Sequence, residues 1–140
     1  MRQYQNASDP LDGADVVLVG LFSAREQQYD ARLDELAALV EARGGRVVGR
    51  HVQRRGASDR WNQRPGGAAR MSLPFSRRTL LTYGKVREIA EACRAADIGA
   101  AVFANALTPV QRTVLTGILG CPVLSGPDLS PLYRPPTLSP

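Results

Sequence analysis

The apolar positions of this chain fall into short runs and helical stripes that alternate along its length. Val16-Val17-Leu18-Val19-Gly20-Leu21-Phe22 is a continuous apolar run rich in β-branched residues. It is too short for a helix and reads as a strand buried on both faces. From Asp30 to Arg43, Leu33, Leu36, Ala37 and Val40 recur at helical spacing, with acids early, Arg43 late and Gly44 as the stop. Arg46 to Arg54 (RVVGRHVQR) reads as a second strand. Lys85–Asp97 carries Val86, Ile89, Ala90 and Cys93 on one helical face. GAAVFAN, residues 99–105, is a further buried strand. Thr108-Pro109-Val110-Gln111 has the pattern of a helix start, with a capping threonine, proline in the first turn and glutamine completing a capping box; the helix runs to Leu119 and stops at Gly120. Cys121-Pro122-Val123-Leu124 is a last short strand, and Thr79-Leu80-Leu81-Thr82 is a candidate fifth.

Strands alternating with helices imply a mainly parallel sheet. The expectation is one α/β domain, with four to five strands and helices packed on the sheet. It occupies residues 15–132, after a flexible arm over 1–14 and before a Pro-rich tail over 133–140. A length of 140 residues suits one domain.

Charge changes this picture at one place. The chain carries a formal +5, yet Arg54 to Arg78 holds seven arginines against the single acid Asp59. The basicity therefore belongs to one segment, the long Gly- and Pro-containing loop 55–78, expected to be mobile and suited to phosphate. With no long apolar run and no export signal, the expected setting is cytoplasmic with no membrane contact. The two cysteines have neither zinc nor redox-motif spacing and read as small buried hydrophobes.

Motif chemistry is sparse. No Walker A loop is present: Gly84-Lys85 has no glycine five positions upstream, and Val86 stands where Ser or Thr is required. No G-x-G-x-x-G follows the first strand. GTP hydrolysis by this chain is therefore not expected, and no cofactor or metal is called. Ligands in open parallel sheets bind beyond the carboxyl ends of the strands. That rule selects Arg50, Gln53, Arg54, Arg55, Tyr83, Gly84, Lys85 and Asn105 as candidate ligand-binding residues for an anion or polar planar group. His51, Tyr83, Lys85 and Asp128 are candidate acid–base groups, His51 because its ordinary pKa lies near neutrality.

Several segments together resemble the N-terminal domain of the HflX family of ribosome-associated GTPases. Val17-Leu18-Val19-Gly20 is similar to the family's Val-Gly strand, and Leu33-Asp34-Glu35-Leu36 to its L-E-E-L helix. Val47 through Arg55 (VVGRHVQRR) is similar to V-V-G-x-x-x-Q-x-R. Tyr83 through Ile89 (YGKVREI) follows G-x-G-K-x-x-E-I, with Thr82 where the family has its first glycine. Phe103 through Gln111 (FANALTPVQ) follows F-D-D-E-L-S-P-x-Q, with Asn105-Ala106 in place of acids, and Cys121 through Leu124 follows the last strand. The 55–78 loop is longer and more basic than the family's. The resemblance spans residues 15 to 132 and reaches no G domain, so a stand-alone copy is expected. It implies binding to the large ribosomal subunit and, for some members, nucleotide binding by this domain. The leading functional reading is thus an RNA/ribosome- or nucleotide-binding module without GTPase activity, its partner ribosomal RNA or a small anionic ligand. The alternative is a small isomerase, cyclase or hydrolase of a specialised biosynthetic pathway. A third reading is a scaffolding fragment that pairs with itself as a homodimer or with a GTPase.

Overall fold

The computed structural model describes residues 9–55 and 79–136. Four strands form one parallel sheet: β1 (Asp15–Ser23), β2 (Arg46–Arg55), β3 (Ala100–Phe103) and β4 (Val123–Ser125), in the order β2-β1-β3-β4. Four helices are seen among the described residues: α1 (Tyr29–Ala42), α2 (Tyr83–Ala95), α3 (Pro109–Leu119) and the single turn α4 (Gly126–Leu129).

The apolar run of β1 divides strictly by parity. Val17, Val19 and Leu21 join Ala101 and Phe103 in a core under α2 and α3, where Val86, Ile89, Leu115 and Leu119 meet them. Val16, Leu18 and Phe22 join Ala100, Val102 and Ala104 under α1, against Leu33, Leu36 and Val40. A strand buried on both faces needs apolar side chains at every position, which is why no alternation is visible in its sequence. β2 is paired on its β1 side in parallel register, from Asp15↔Arg46 to Ser23↔Arg55, with a shift between Val16 and Val17 that leaves Val48 as the extra residue. Val48 is accordingly 47% exposed.

Helix ends follow local chemistry. After α1, Gly44 adopts φ +92, its N–H reaches the Glu41 carbonyl at 3.0 Å and the Gly45 N–H reaches Val40 at 3.1 Å. This double closure is the Schellman arrangement, and glycine fits the left-handed position. α3 has the expected capping box between Thr108 and Gln111, proline in the first turn and Gly120 at φ +76.

The candidate strand 79–82 is not a strand. Leu80 takes φ +72, Thr79 donates its hydroxyl to the Leu81 carbonyl at 3.1 Å, and Leu81 drops fully into the core. Thr82 is then the N-cap of α2, which begins at Tyr83, two residues before the expected start. Both chain ends of the described region are tied down further than their polarity suggested. Leu11, within the expected arm, is fully buried. Tyr133, the first residue of the expected tail, is also buried and donates its hydroxyl to the Ala104 carbonyl at 2.9 Å. Arg32 of α1 donates to the Arg134 carbonyl in this segment, and Arg43, at the end of α1, donates to the Leu129 carbonyl of α4. The loop 55–78, apart from Arg55, and the ends 1–8 and 137–140 lie outside the described residues.

Candidate functional site

Parallel pairing brings the four strand ends, Ser23, Arg55, Phe103 and Ser125, to one side of the sheet. The chain runs from β1 outward to β2, then returns to place β3 on the other side of β1. The β1–β3 boundary is therefore the topological switch point, where open α/β sheets commonly hold ligands.

Here that boundary is bridged by Asn105. Its Oδ1 accepts from the Leu21 N–H at 2.9 Å, and its Nδ2 donates to the Leu21 carbonyl at 2.9 Å. The side chain thus copies a peptide group and continues the β3–β1 ladder beyond Phe103. Asn105 is buried, and both ends of its amide serve the fold. A group expected to face a ligand is instead turned inward, because the Leu21 backbone pair would otherwise lack partners.

Gln53 and Arg54 are engaged in the same way, on opposite faces of β2. Gln53 Nε2 donates to Thr82 Oγ1 at 3.0 Å and its Oε1 accepts from the Thr82 N–H at 3.0 Å. This bidentate clasp joins the end of β2 to the cap of α2, and so joins the two stems from which the basic segment departs and returns. The Arg54 guanidinium donates to the carbonyls of Ser23, Ala24 and Glu26, at 2.7 to 3.2 Å, and lies 4.5 Å from the Tyr29 ring centroid. Arg54, expected at the ligand, orders the β1–α1 connection, whose carbonyls have no strand to pair with. Arg50 faces α1 and pairs with Asp34 at 2.6 Å.

The groups that remain outward gather at the start of α2. Tyr83 is 63% exposed, and Arg87, one turn on, places its guanidinium carbon 5.6 Å from the ring centroid. A Cβ added to Gly84 would meet nothing within 4 Å. Lys85, its side chain 21% exposed, pairs with Glu88 at 3.2 Å. Its N–H is taken by the Thr82 hydroxyl at 3.2 Å, a cap that does not engage the N–H groups of Tyr83 and Gly84. Arg55, exposed, ends β2 on the same rim.

His51 is half-buried beneath this group. Burial and the nearby Lys85 charge lower its pKa from the ordinary value, and Glu88 partly opposes them. Asp128 is elsewhere. It follows β4, at the sheet edge opposite β2, and three strand spacings of ~4.8 Å put it roughly 14 Å from the β2 line. Burial raises its pKa, but hydrogen bonds from Arg112 and from the Ser125 N–H and hydroxyl outweigh this and lower it. The Arg112 ion pair measures 2.7 Å. Of the four acid–base candidates, the structure brings His51 and Lys85 near one another, leaves Tyr83 facing outward, and separates Asp128 from them.

Sequence reasoning missed Arg87 and Thr82. Arg87 was readable as a four-residue helical neighbour of Tyr83. Thr82 was obscured because its third helical position holds lysine, not the glutamate or glutamine of a capping box. Among the described residues no group of three or more His, Cys, Asp or Glu is placed to hold a metal ion, and no helix is long and apolar enough to cross a membrane.

Residues 68–129 match the model of a protein family described as GTP-binding GTPase N-terminal, the N-terminal domain family of HflX. The match is somewhat less than half of the chain. It takes in α2, β3, α3, β4 and α4, and begins inside the basic segment. No curated protein matches the chain.

Proposed function

With residues 68–129 carrying an HflX N-terminal-like domain, we propose that this chain is a binding module for RNA, with the ribosome as its host, and that it does not hydrolyse GTP. The observation that carries the reading is the Gln53–Thr82 clasp. It fixes both stems of the Arg-rich segment beside an outward-facing aromatic, Tyr83, flanked by Arg87 and Lys85.

Each part has a use in RNA recognition. Arginines neutralise phosphates without reading sequence, and their guanidinium planes stack on bases. An exposed aromatic ring offers a platform for an unstacked base, worth about 1–3 kcal/mol per base. Single-stranded loops and bulges of RNA present such bases. Against GTP hydrolysis stands the composition of the Gly84-Lys85-Val86 turn. It lacks the Walker glycine and the hydroxyl that ligates magnesium, and the Lys85 N–H that a phosphate loop would offer is already used by Thr82.

Binding to a ribosomal RNA fragment, measured for the wild-type chain and for Tyr83→Ala, tests the reading. The expected loss is about 1–3 kcal/mol in affinity with unchanged thermal stability, since Tyr83 is mostly exposed. Equal affinity in the two proteins would remove Tyr83 from the interface. Tight GTP binding with no affinity for RNA would assign the surface to a nucleotide instead, and GTP turnover lost in Lys85→Ala would contradict the absence of hydrolysis.

A further inference from the structure

The switch point is closed a second time, from the face of the sheet that α1 covers. Past α4 the chain makes a short turn. The Ser130 hydroxyl accepts there from the Leu132 N–H at 3.1 Å, and the Ser130 carbonyl from the Tyr133 N–H at 3.2 Å. Leu132 is left 86% exposed, while Tyr133 is 6% exposed and joins the core cluster beneath α1. The Tyr133 hydroxyl donates to the Ala104 carbonyl at 2.9 Å. Ala104 directly follows β3, and its own N–H donates to the Val19 carbonyl of β1 at 2.8 Å. The ring therefore ends on the backbone that joins the two central strands. One side of it lies directly on Gly126, where a Cβ would collide with the ring carbons Cε2, Cδ2 and Cζ.

Little else holds this segment. Residues 130–136 form no strand or helix. Arg32 Nη2 donates to the Arg134 carbonyl at 2.8 Å, in an exposed bond. Arg32 Nε is out of water without a hydrogen-bond partner, so the closed arrangement carries an unmet donor. A segment anchored by one ring and few bonds opens at a lower free energy than the sheet it covers.

We propose that residues 130–134 are a displaceable strap, and that the slot filled by the Tyr133 ring is a binding site for a small flat aromatic molecule with one hydrogen-bond donor on its edge.

The slot dictates the ligand. Its surroundings are apolar, it is one ring wide beside Gly126, and its end is the Ala104 carbonyl, which only accepts. A neutral ring with a donor where tyrosine has its hydroxyl satisfies that carbonyl; a carboxylate or phosphate would set a second acceptor against it. Burial pushes the Tyr133 phenol up to about 12, with Arg32 opposing and Glu35 assisting, so the resident group is itself such a neutral donor. Strap and ligand compete for one place, and the apparent affinity is the intrinsic one reduced by the fraction of open strap. The site lies on the face opposite α2 and does not depend on RNA binding at the Tyr83 rim.

The test uses the full chain and p-cresol, the tyrosine side chain as a free molecule, with toluene as the ring lacking the donor. Tyr133→Ala empties the slot. Its Tm should rise with added p-cresol, and p-cresol should bind about fivefold tighter than toluene, the worth of one hydrogen bond. Adding Gly126→Ala to that variant narrows the slot and should abolish the effect. In the wild type, p-cresol should speed hydrogen exchange of the Tyr133 N–H and leave that of the Ala101 N–H, which is bonded to the Pro122 carbonyl inside the sheet, unchanged. A Tyr133 N–H that exchanges only together with Ala101 would overturn the strap. A Tm of Tyr133→Ala indifferent to p-cresol, or equal binding by the double variant, would overturn the slot. The wild-type exchange decides the matter even if Tyr133→Ala fails to fold.

Discussion

Asn105 shows how one side chain can decide whether a familiar position is open. A carboxamide both donates and accepts, so it satisfies both Leu21 backbone groups at once. Aspartate, the residue type of the family pattern, is isosteric but, when ionised, only accepts. Asn105→Asp should therefore leave the Leu21 carbonyl unpaired and place a charge in a buried site, at a cost of about 1–3 kcal/mol near neutral pH. Burial would raise the folded-state pKa of the new carboxyl above the ordinary ~3.9. The native state then holds a proton that the unfolded chain has lost, so stability falls as pH rises through that interval. Urea melts of the variant from pH 3.5 to 7 should show a deficit that shrinks on acidification. A deficit independent of pH would mean that Asn105 is not held as described.

His51 is the complementary case, a titrating group already present. Its lowered pKa favours the neutral form in the folded chain. Below about pH 6.5 the unfolded state binds more protons, so this contribution to stability is lost as pH falls through the ordinary value towards the folded one. Removing the Lys85 charge with Lys85→Gln should raise the His51 pKa, and Glu88→Gln should lower it, both readable from imidazole proton shifts in an NMR titration. Because burial is the larger cause, neither change should remove the shift entirely. No change in Lys85→Gln would show that the ammonium does not face the ring.

Among the elements, those governed by local chemistry were legible from sequence. Thr108, Pro109 and Gln111 mark the start of α3 and Gly120 its end, and Gly44 closes α1 through its own neighbours. The unbroken apolar run of β1 announced a strand buried on two faces. The roles of Gln53, Arg54 and Asn105 were not legible, because their partners lie 28 to 84 positions away and exist only once the strands align. The strand expected at residues 79–82 failed for a related reason: its apolar pair looked like β-structure, but Thr82 is needed as a cap and by Gln53. That shared use makes Thr82 a joint between elements. Thr82→Ala should cost about 0.5–2 kcal/mol for the lost cap, and more in total, since Gln53 Nε2 loses its acceptor as well. A double cycle with Gln53→Ala, followed by thermal melts, should reveal coupling of at least about 0.5 kcal/mol. Strict additivity would show that the clasp does not form. Arg54→Ala should destabilise by roughly 1.5–3 kcal/mol, as expected for charged hydrogen bonds and contrary to the small effect usual for a surface arginine.

At the scale of the whole molecule, a parallel sheet with three long helices holds Arg55 and Thr79, the residues between which the basic segment runs. The chain's net charge is smaller than that of Arg54 to Arg78 alone, so the remainder is close to neutral. The sheet closes its own switch point with Asn105 and holds Arg54 on the β1–α1 carbonyls, so the surface proposed for a partner is the rim of Arg55, Tyr83, Gly84 and Lys85 together with the basic sequence that follows it. The family match begins within that segment and continues through the helix that carries the rim. Counterion release separates this account from its competitors more directly than affinity alone, because each phosphate neutralised on single-stranded RNA adds about 0.7 to the slope of log K against log salt. The decisive measurement is the binding of a single-stranded ribosomal RNA fragment across a salt series, for the wild type and for a variant with Arg70, Arg77 and Arg78 changed to alanine. The account predicts a wild-type slope steeper than about −2, from three or more phosphates, and a clearly shallower slope in the variant with its fold intact. A shallow slope shared by both proteins, or no binding at the lowest salt, would contradict it.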